Sequence, residues 1–471
     1  MGAGAFVEPL VVLTLLFGGT WVNRNTRYRL FDRHRSHASS SSSYSSASSS
    51  SDSTPRCSSS LLDGNRVSSP SLSAEQEPYW RKREIRILGW RKEVSSPNTK
   101  RFEGSFLSRL LRKFPFLVEV WYWSLIYWVY QLGRALTAIT LVESTVDVAR
   151  THALQIIHLE QHLHIFFELP IQHWFLKHPL LMHWTNRIYS FIHIPGTILF
   201  LVCLYYYTTP PLPSPTLPLP LSPKTKNLQT ARTSGPDLYS ARRRTMAVCN
   251  LLAFIIFTLW PCMPPRLLSD PTVPTAIGNE ARSYGFVDTV HGKPGESSIW
   301  TQNKFCNQYA AMPSLHFGYS LLIGLTIMTI PIASKRRRST TTAFSSPARR
   351  ARRWRRWLLP RLACLVVGAA YPVLILGVIV ATANHFLLDA LVGAVVCGVA
   401  WVGNGVLLNL LVVEDWVFWG VGVCVPERGL EGEVRDVFGY GGGGGIVGFL
   451  YDGLERWEEV GEVGFGGLWT D

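Results

Sequence analysis

Charged side chains are scarce in this sequence. Only 17% of its 471 residues are Asp, Glu, Lys or Arg, against about a quarter in a soluble chain, so much of it has no need to face water. Cysteine is thin as well. Eight cysteines in a chain of this length exclude a small disulfide-built scaffold, and none stands in a metal-binding spacing. Cys203, Cys249, Cys262, Cys364 and Cys397 lie in or beside apolar runs, where a thiol packs as a small hydrophobe; Cys262 and Cys306 fall in one loop and are the only pair considered for a disulfide. Acidic residues are outnumbered, which leaves a formal net charge of +14. What is abundant is apolar surface: 47% hydrophobic residues, with 17 Trp and 23 Phe, exclude a wholly disordered chain. A membrane protein with polar appendages is left.

The chain divides into four parts. Residues 1–23 hold an apolar run, Ala3 to Val22, with no basic residue before it and Arg24, Arg27, Arg29, Arg33 and Arg35 after it; a cleaved signal carries its charge in front, so an anchor helix is expected. Residues 24–113 are Ser-rich and then basic and read as a disordered cytoplasmic linker. Residues 114–413 carry six apolar runs near the roughly 20 residues that a bilayer-spanning helix needs: Phe114 to Val142, Leu180 to Tyr207, Met246 to Met263, Leu315 to Ala333, Leu358 to Thr382 and Phe386 to Val413. Between the first two, His152 to His178 is too polar to span and reads as an interfacial helix. Residues 414–471 form an acidic, Gly-rich tail expected in the cytoplasm. The fold expected is therefore all-α and polytopic, a six-helix transmembrane core.

Basic residues orient it. The loop Lys335 to Trp357 holds ten Lys and Arg, and the segments before the first and third spans are also strongly basic, which assigns all three to the cytoplasm and to anionic lipid rather than to nucleic acid. The stretches Glu143 to Pro179 and Pro264 to Pro313 then fall on the opposite side. Three polar clusters collect there at helix ends, where ionisable groups are functional suspects. Pro264-Pro265-Arg266 stops the third span just before a guanidinium suited to a phosphate. Pro313-Ser314-Leu315-His316 opens the fourth span, with Pro313 expected in its first turn and Ser314 adding a hydroxyl to an anion-binding helix start. His385 and Asp389, four apart at the start of the sixth span, share a helix face, so the carboxylate is expected to hold one imidazole nitrogen and leave the other free. The His158, His162, His164, His173 and His178 cluster has His158 and His162 at a metal-binding spacing, but Glu160 lies on the far side of the helix and the zinc-protease pattern is absent. It reads as an interfacial polar face.

The order and spacing of Pro264-Pro265-Arg266, Pro313-Ser314-Leu315-His316 and His385 with Asp389 resemble the type 2 phosphatidic acid phosphatase superfamily, over Phe114 to Val413. Leu315 stands where its phosphatases have Gly, Val378 and Ile379 stand where they have a Ser-Arg pair, and the Arg-Pro order of their first motif is replaced. These departures resemble the inositolphosphotransferase branch, which includes inositol phosphorylceramide synthase. The resemblance implies a phosphohistidine at His385 oriented by Asp389, acid–base work by His316, and phosphate binding by Arg266, Ser314 and Asn307, with Lys304 and Arg282 as alternatives for the contact that Ile379 cannot make. It implies no metal and no cofactor. The implied activity transfers a phosphorylated headgroup, such as inositol phosphate, from a phospholipid donor to a lipid alcohol such as ceramide; a lipid phosphate phosphatase using the same residues, or an inactive membrane scaffold, are the alternatives. The Ser and Pro tracts suggest a eukaryotic endomembrane such as the Golgi, with the site facing the lumen.

Overall fold

The computed structural model describes residues 4–26, 28–30, 78–87, 89–140, 143–209, 223–271, 273, 275–289, 309–330 and 347–425. The Ser tract, the Pro-rich stretch after the second apolar run, the basic residues 335–338, the Gly run of the tail, and Cys306, Lys304 and Asn307 lie outside them. The described chain is mostly helical, but not all-α. Within the segment read as linker, Trp80–Ile87 (β1) and Trp90–Pro97 (β2) form an antiparallel hairpin that turns at Gly89, whose φ of 88° favours glycine. The hairpin is held at its flank: the Arg83 guanidinium donates to both Asp415 carboxylate oxygens at 2.9 and 3.0 Å, and Ser96 Oγ donates to the same carboxylate at 2.6 Å.

In chain order the helices are α1 (Gly4–Val22), α2 (Phe106–Lys113), α3 (Phe116–Thr140), α4 (Glu143–His162), α5 (Glu168–Leu176), α6 (Pro179–Phe191), α7 (Thr197–Thr208), α8 (Pro223–Leu259), α9 (Ala276–Ser283), α10 (Leu315–Thr329), α11 (Pro347–Ala381), α12 (Leu387–Gly403) and α13 (Leu411–Val421). Helix is present at each of the six apolar runs. By length and composition, however, two stretches among the described residues can cross a bilayer, Leu359–Ala381 and Leu387–Val421. A third arises if Pro179–Tyr189 and Ile194–Thr208, which meet at a 52° bend, form one broken span. The others fall short for visible reasons. α10 has 15 residues, about 22 Å at 1.5 Å per residue, and α3 carries Glu119 and a run of Trp and Tyr that lowers its hydropathy.

The basic run before the third span is built into the bundle. Arg242 donates to Thr326 Oγ1 at 2.9 Å and lies 3.3 Å over the Trp401 ring, Arg243 pairs with Glu119 at 2.6 Å, and Arg244 donates to Asn404 Oδ1 at 3.2 Å. These pairs lock α8 to α3, α10 and the end of α12. At the other end of the bundle, the start of α12 is covered by α4 and α5. There Ala149, Ala153, Ile156 and Ile157 of α4 pack with Cys262, Met263, Ala311, Met312, Ala383 and Phe386 into one buried cluster. That cluster is the floor of the candidate site.

Candidate active site

Two connections meet over this floor. After α8 the chain cannot continue as helix through Pro261, Pro264 and Pro265, and it runs extended instead. Cys262 N–H donates to the Tyr309 carbonyl at 2.8 Å and Ala311 N–H donates back to the Cys262 carbonyl at 3.0 Å. The two segments are thereby stitched together before either reaches its polar residues. Ser314 is the N-cap of α10, its buried hydroxyl accepting the Phe317 N–H at 3.4 Å. Pro313 therefore precedes the cap rather than occupying the first turn. The Ser314 N–H donates to the Asp389 carbonyl at 3.0 Å, tying the start of α10 to the start of α12.

The imidazole of His385 is fixed by a group that carries no side-chain signature. Its Nδ1 lies 2.8 Å from the Ala311 carbonyl oxygen, and its Nε2 lies 3.4 Å from His316 Nδ1. A carbonyl only accepts, so Nδ1 holds the proton and Nε2 the lone pair. Asp389, expected to hold the ring, stands 3.7 Å from Nδ1 and instead accepts the Phe386 N–H at 2.8 Å. The reason is that α12 begins at Leu387, so His385 precedes the helix and the i,i+4 geometry does not apply to it. Asp389 still sits against the imidazole as a fully buried carboxylate. The ring of His316 is in turn stacked on Tyr189 of α6, with centroids 4.7 Å apart and planes 22° from parallel.

Arg266 is buried and committed within the site. Its N–H donates to the Ala383 carbonyl at 2.9 Å, its Nε to Asn384 Oδ1 at 2.8 Å, and its Nη1 pairs with Asp288 at 2.9 Å. Asn384 passes the contact on, donating to Thr382 Oγ1 at 2.7 Å. The segment carrying Asp288 is clamped by Gln172 of α5 through Val287 and by Asn186 of α6 through Thr289.

Three carboxyls guard the start of α12: besides Asp389 on Phe386, Glu168 Oε1 accepts the Leu387 N–H at 2.8 Å and Glu160 Oε1 accepts the Leu388 N–H at 2.9 Å. Both glutamates are fully buried. Burial, and the charge of Glu168 beside it, push Glu160 up to about 9, and burial also raises Glu168. The far side of α4 from His158 is thus its inner side. His158 itself faces outward and pairs with Glu280 at 3.0 Å.

The structure brings Arg266, Ser314, His316, His385 and Asp389 into one site. Cys262 is a free thiol buried below it, and Arg282 is turned to its own loop, donating to the Pro271 carbonyl at 2.9 Å. Tyr189, Asn384, Asp288, Glu160 and Glu168 are the members that the motifs did not single out.

The profile described as PAP2 superfamily (PAP2_3) matches residues 154–213, 228–344 and 350–403. The chain belongs to the PAP2 superfamily. The matched segments contain each of these residues, from Glu160 to Asp389. No curated protein and no solved structure matches the chain. PAP2 membership makes this a polytopic helical membrane protein of a superfamily whose members are usually enzymes, with lipid phosphatase or phosphotransferase activity on lipid phosphates in a membrane. Ile379 is fully buried in an apolar cluster with Ile375, Val380 and Ala390.

Proposed function

We propose that this PAP2 protein is a membrane phosphotransferase that moves a phosphorylated headgroup, such as inositol phosphate, from a phospholipid to a lipid alcohol such as ceramide. The observation that carries the reading is the His385 ring, with Nδ1 on the Ala311 carbonyl and Nε2 aimed at His316. In the first step the Nε2 lone pair attacks phosphorus, the bond from phosphorus to the diacylglycerol oxygen breaks, and His316 gives that oxygen a proton. In the second, the acceptor hydroxyl attacks phosphorus, its proton goes to His316, and the phosphorus–nitrogen bond breaks. Asp389 stabilises the positive charge that His385 carries between the steps. Arg266 contributes positive charge against the phosphoryl oxygens while holding the Asn384 turn that carries His385. Ser314 shapes the same site as the cap of α10, and Asn307 remains a candidate phosphate contact on sequence grounds.

A transferase must admit an alcohol and exclude water from the phosphoenzyme. The apolar replacement at Ile379 and the burial of His385, Asp389 and Asn384 favour this over a hydrolase. The reading retains the six-span core, with an N-terminal anchor and the site on the lumenal side of an endomembrane such as the Golgi. Its test is to supply purified protein with headgroup-labelled phosphatidylinositol, with and without ceramide, and with phosphatidate in parallel. Ceramide-dependent transfer of label is expected. Release of free phosphate from phosphatidate, with no transfer to ceramide, would establish the phosphatase reading instead.

A further inference from the structure

We infer that Glu160 and Glu168 are positioning residues: a carboxylic acid and a carboxylate sharing one proton, they clamp the start of α12 and so hold His385 against the Ala311 carbonyl. The inference adds to the proposed function and rests on it only for its effect on turnover.

The geometry carries it. The unpaired N–H groups at a helix start are ordinarily met by one capping side chain and water. Here three successive N–H groups, those of Phe386, Leu387 and Leu388, each have a carboxyl of their own, and two come from separate helices, α4 and α5. Glu160 and Glu168 each spend Oε1 on the backbone, and both Oε2 atoms are buried with no hydrogen-bond partner. The two carboxyls act on each other's titration at close range, and a side-chain hydrogen bond between them would satisfy both buried oxygens. Two carboxylates offer no proton for such a bond, whereas an acid and a carboxylate offer one.

Charge points the same way. The groups facing the pair are Asp389 of α12, itself 3.7 Å from His385 Nδ1, the Cys262 thiol from the loop after α8, and the partial positive charge of the helix end. His158 and Glu280 pair with each other on the outer face of α4. Three full negative charges without water would not be held by this set. Two are, and one of them, Asp389, stands beside the imidazole that turns positive when it is phosphorylated.

The proton is the testable part. Because burial raises Glu160 from its ordinary 4.5 to about 9, the clamp's contribution to stability is whole below about pH 4.5, declines as pH rises between the two values, and is gone once Glu160 loses its proton near pH 9. Glu160→Gln supplies the neutral partner permanently: its carbonyl accepts the Leu388 N–H and its amide donates to Glu168. Glu160→Ala supplies neither. The wild type and both variants, with Glu168→Gln as a second neutral form, would be purified in detergent and followed by infrared spectroscopy, thermal unfolding against pH, and turnover. The wild type is expected to show a protonated-carboxyl C=O band at neutral pH that Glu160→Gln lacks. Its thermal stability is expected to fall as pH rises from about 4.5 to about 9 and to level off above that, and that fall to vanish in Glu160→Gln. Turnover should stay within about threefold in Glu160→Gln and drop on the order of a hundredfold in kcat, with KM unmoved, in Glu160→Ala, the size a misplaced reacting group produces. Absence of the acid band, or a fall over that range that persists in both Gln variants, would overturn the clamp. If band and stability behave as expected while no variant moves a headgroup, the clamp stands and the proposed activity fails.

Discussion

Gly393 of α12 lies against the backbone of Ser314: a Cβ built on Gly393 would stand 2.3 Å from the Ser314 carbonyl oxygen. Gly318 on α10 faces the Gly393 carbonyl in the same way, at 3.0 Å. Together with the bond from Ser314 N–H to the Asp389 carbonyl, this close approach sets the distance between the two histidines, one carried at the start of each helix.

Gly393→Ala is therefore expected to act on the site from a position that touches no substrate. The new methyl meets backbone, which cannot rotate away, so the helices must separate. Overpacking of this kind costs about 1–3 kcal/mol, and the histidine pair should be displaced with it. Thermal unfolding in detergent should show the loss, and turnover should fall more than stability alone accounts for. Gly403→Ala, whose Cβ meets nothing within 4 Å, is the control and should leave both unchanged.

Asn384→Ala should damage the turn that delivers His385. Asn384 accepts from Arg266 Nε and donates to Thr382 Oγ1, so truncation leaves a buried guanidinium short of an acceptor, worth about 1–3 kcal/mol. Arg266→Lys should fail to substitute, because an ammonium cannot reach Asn384 and Asp288 with a rigid fork. Parallel measurement of unfolding temperature and initial rate on both variants checks this; full activity in either would remove the turn from the account.

The meeting of the three motifs was legible in the sequence because Pro264 and Pro265 follow one apolar run, Pro313 and Ser314 open the next, and Asn384 and His385 separate the last two. The hydrogen bonds inside the site were not. Reading His385 and Asp389 as helix neighbours ignored that the helix starts two residues after the histidine, and the true partner, the Ala311 carbonyl, belongs to a backbone that every sequence has. Glu160 and Glu168 escaped for the same reason, since their partners are N–H groups more than two hundred residues away. Arg242, Arg243 and Arg244 read as loop charge because Glu119, Thr326, Trp401 and Asn404 come from other elements. The hairpin was hidden by its own basic residues, which are too polar to announce a core strand; what holds it is Asp415 together with Asn409.

That acid gives a separate prediction. Asp415→Ala removes the acceptor for Arg83 and for Ser96 at once, a loss of about 2 kcal/mol in local stability. Amide hydrogen exchange over residues 80–97 should accelerate, while exchange at α12 and headgroup transfer should stay as in the wild type. Protection unchanged in the hairpin would mean that its contacts with Asn409 suffice.

The two histidines should fail differently. With donor present and acceptor withheld, the wild type is expected to retain an acid-labile headgroup label, discharged when a lipid alcohol is added. His385→Ala removes the nucleophile, so no label should form and turnover should fall about ten-thousand-fold or more. His316→Ala leaves Nε2 of His385 with its lone pair, since the Ala311 carbonyl and not His316 sets that tautomer. Its label should therefore still form, but slowly, and discharge slowly, each step losing about a hundredfold to ten-thousand-fold for want of the proton carrier. Label that survives His385→Ala, or that maps to His316, would reverse the two roles, and with them the direction in which the phosphoryl group passes through the site.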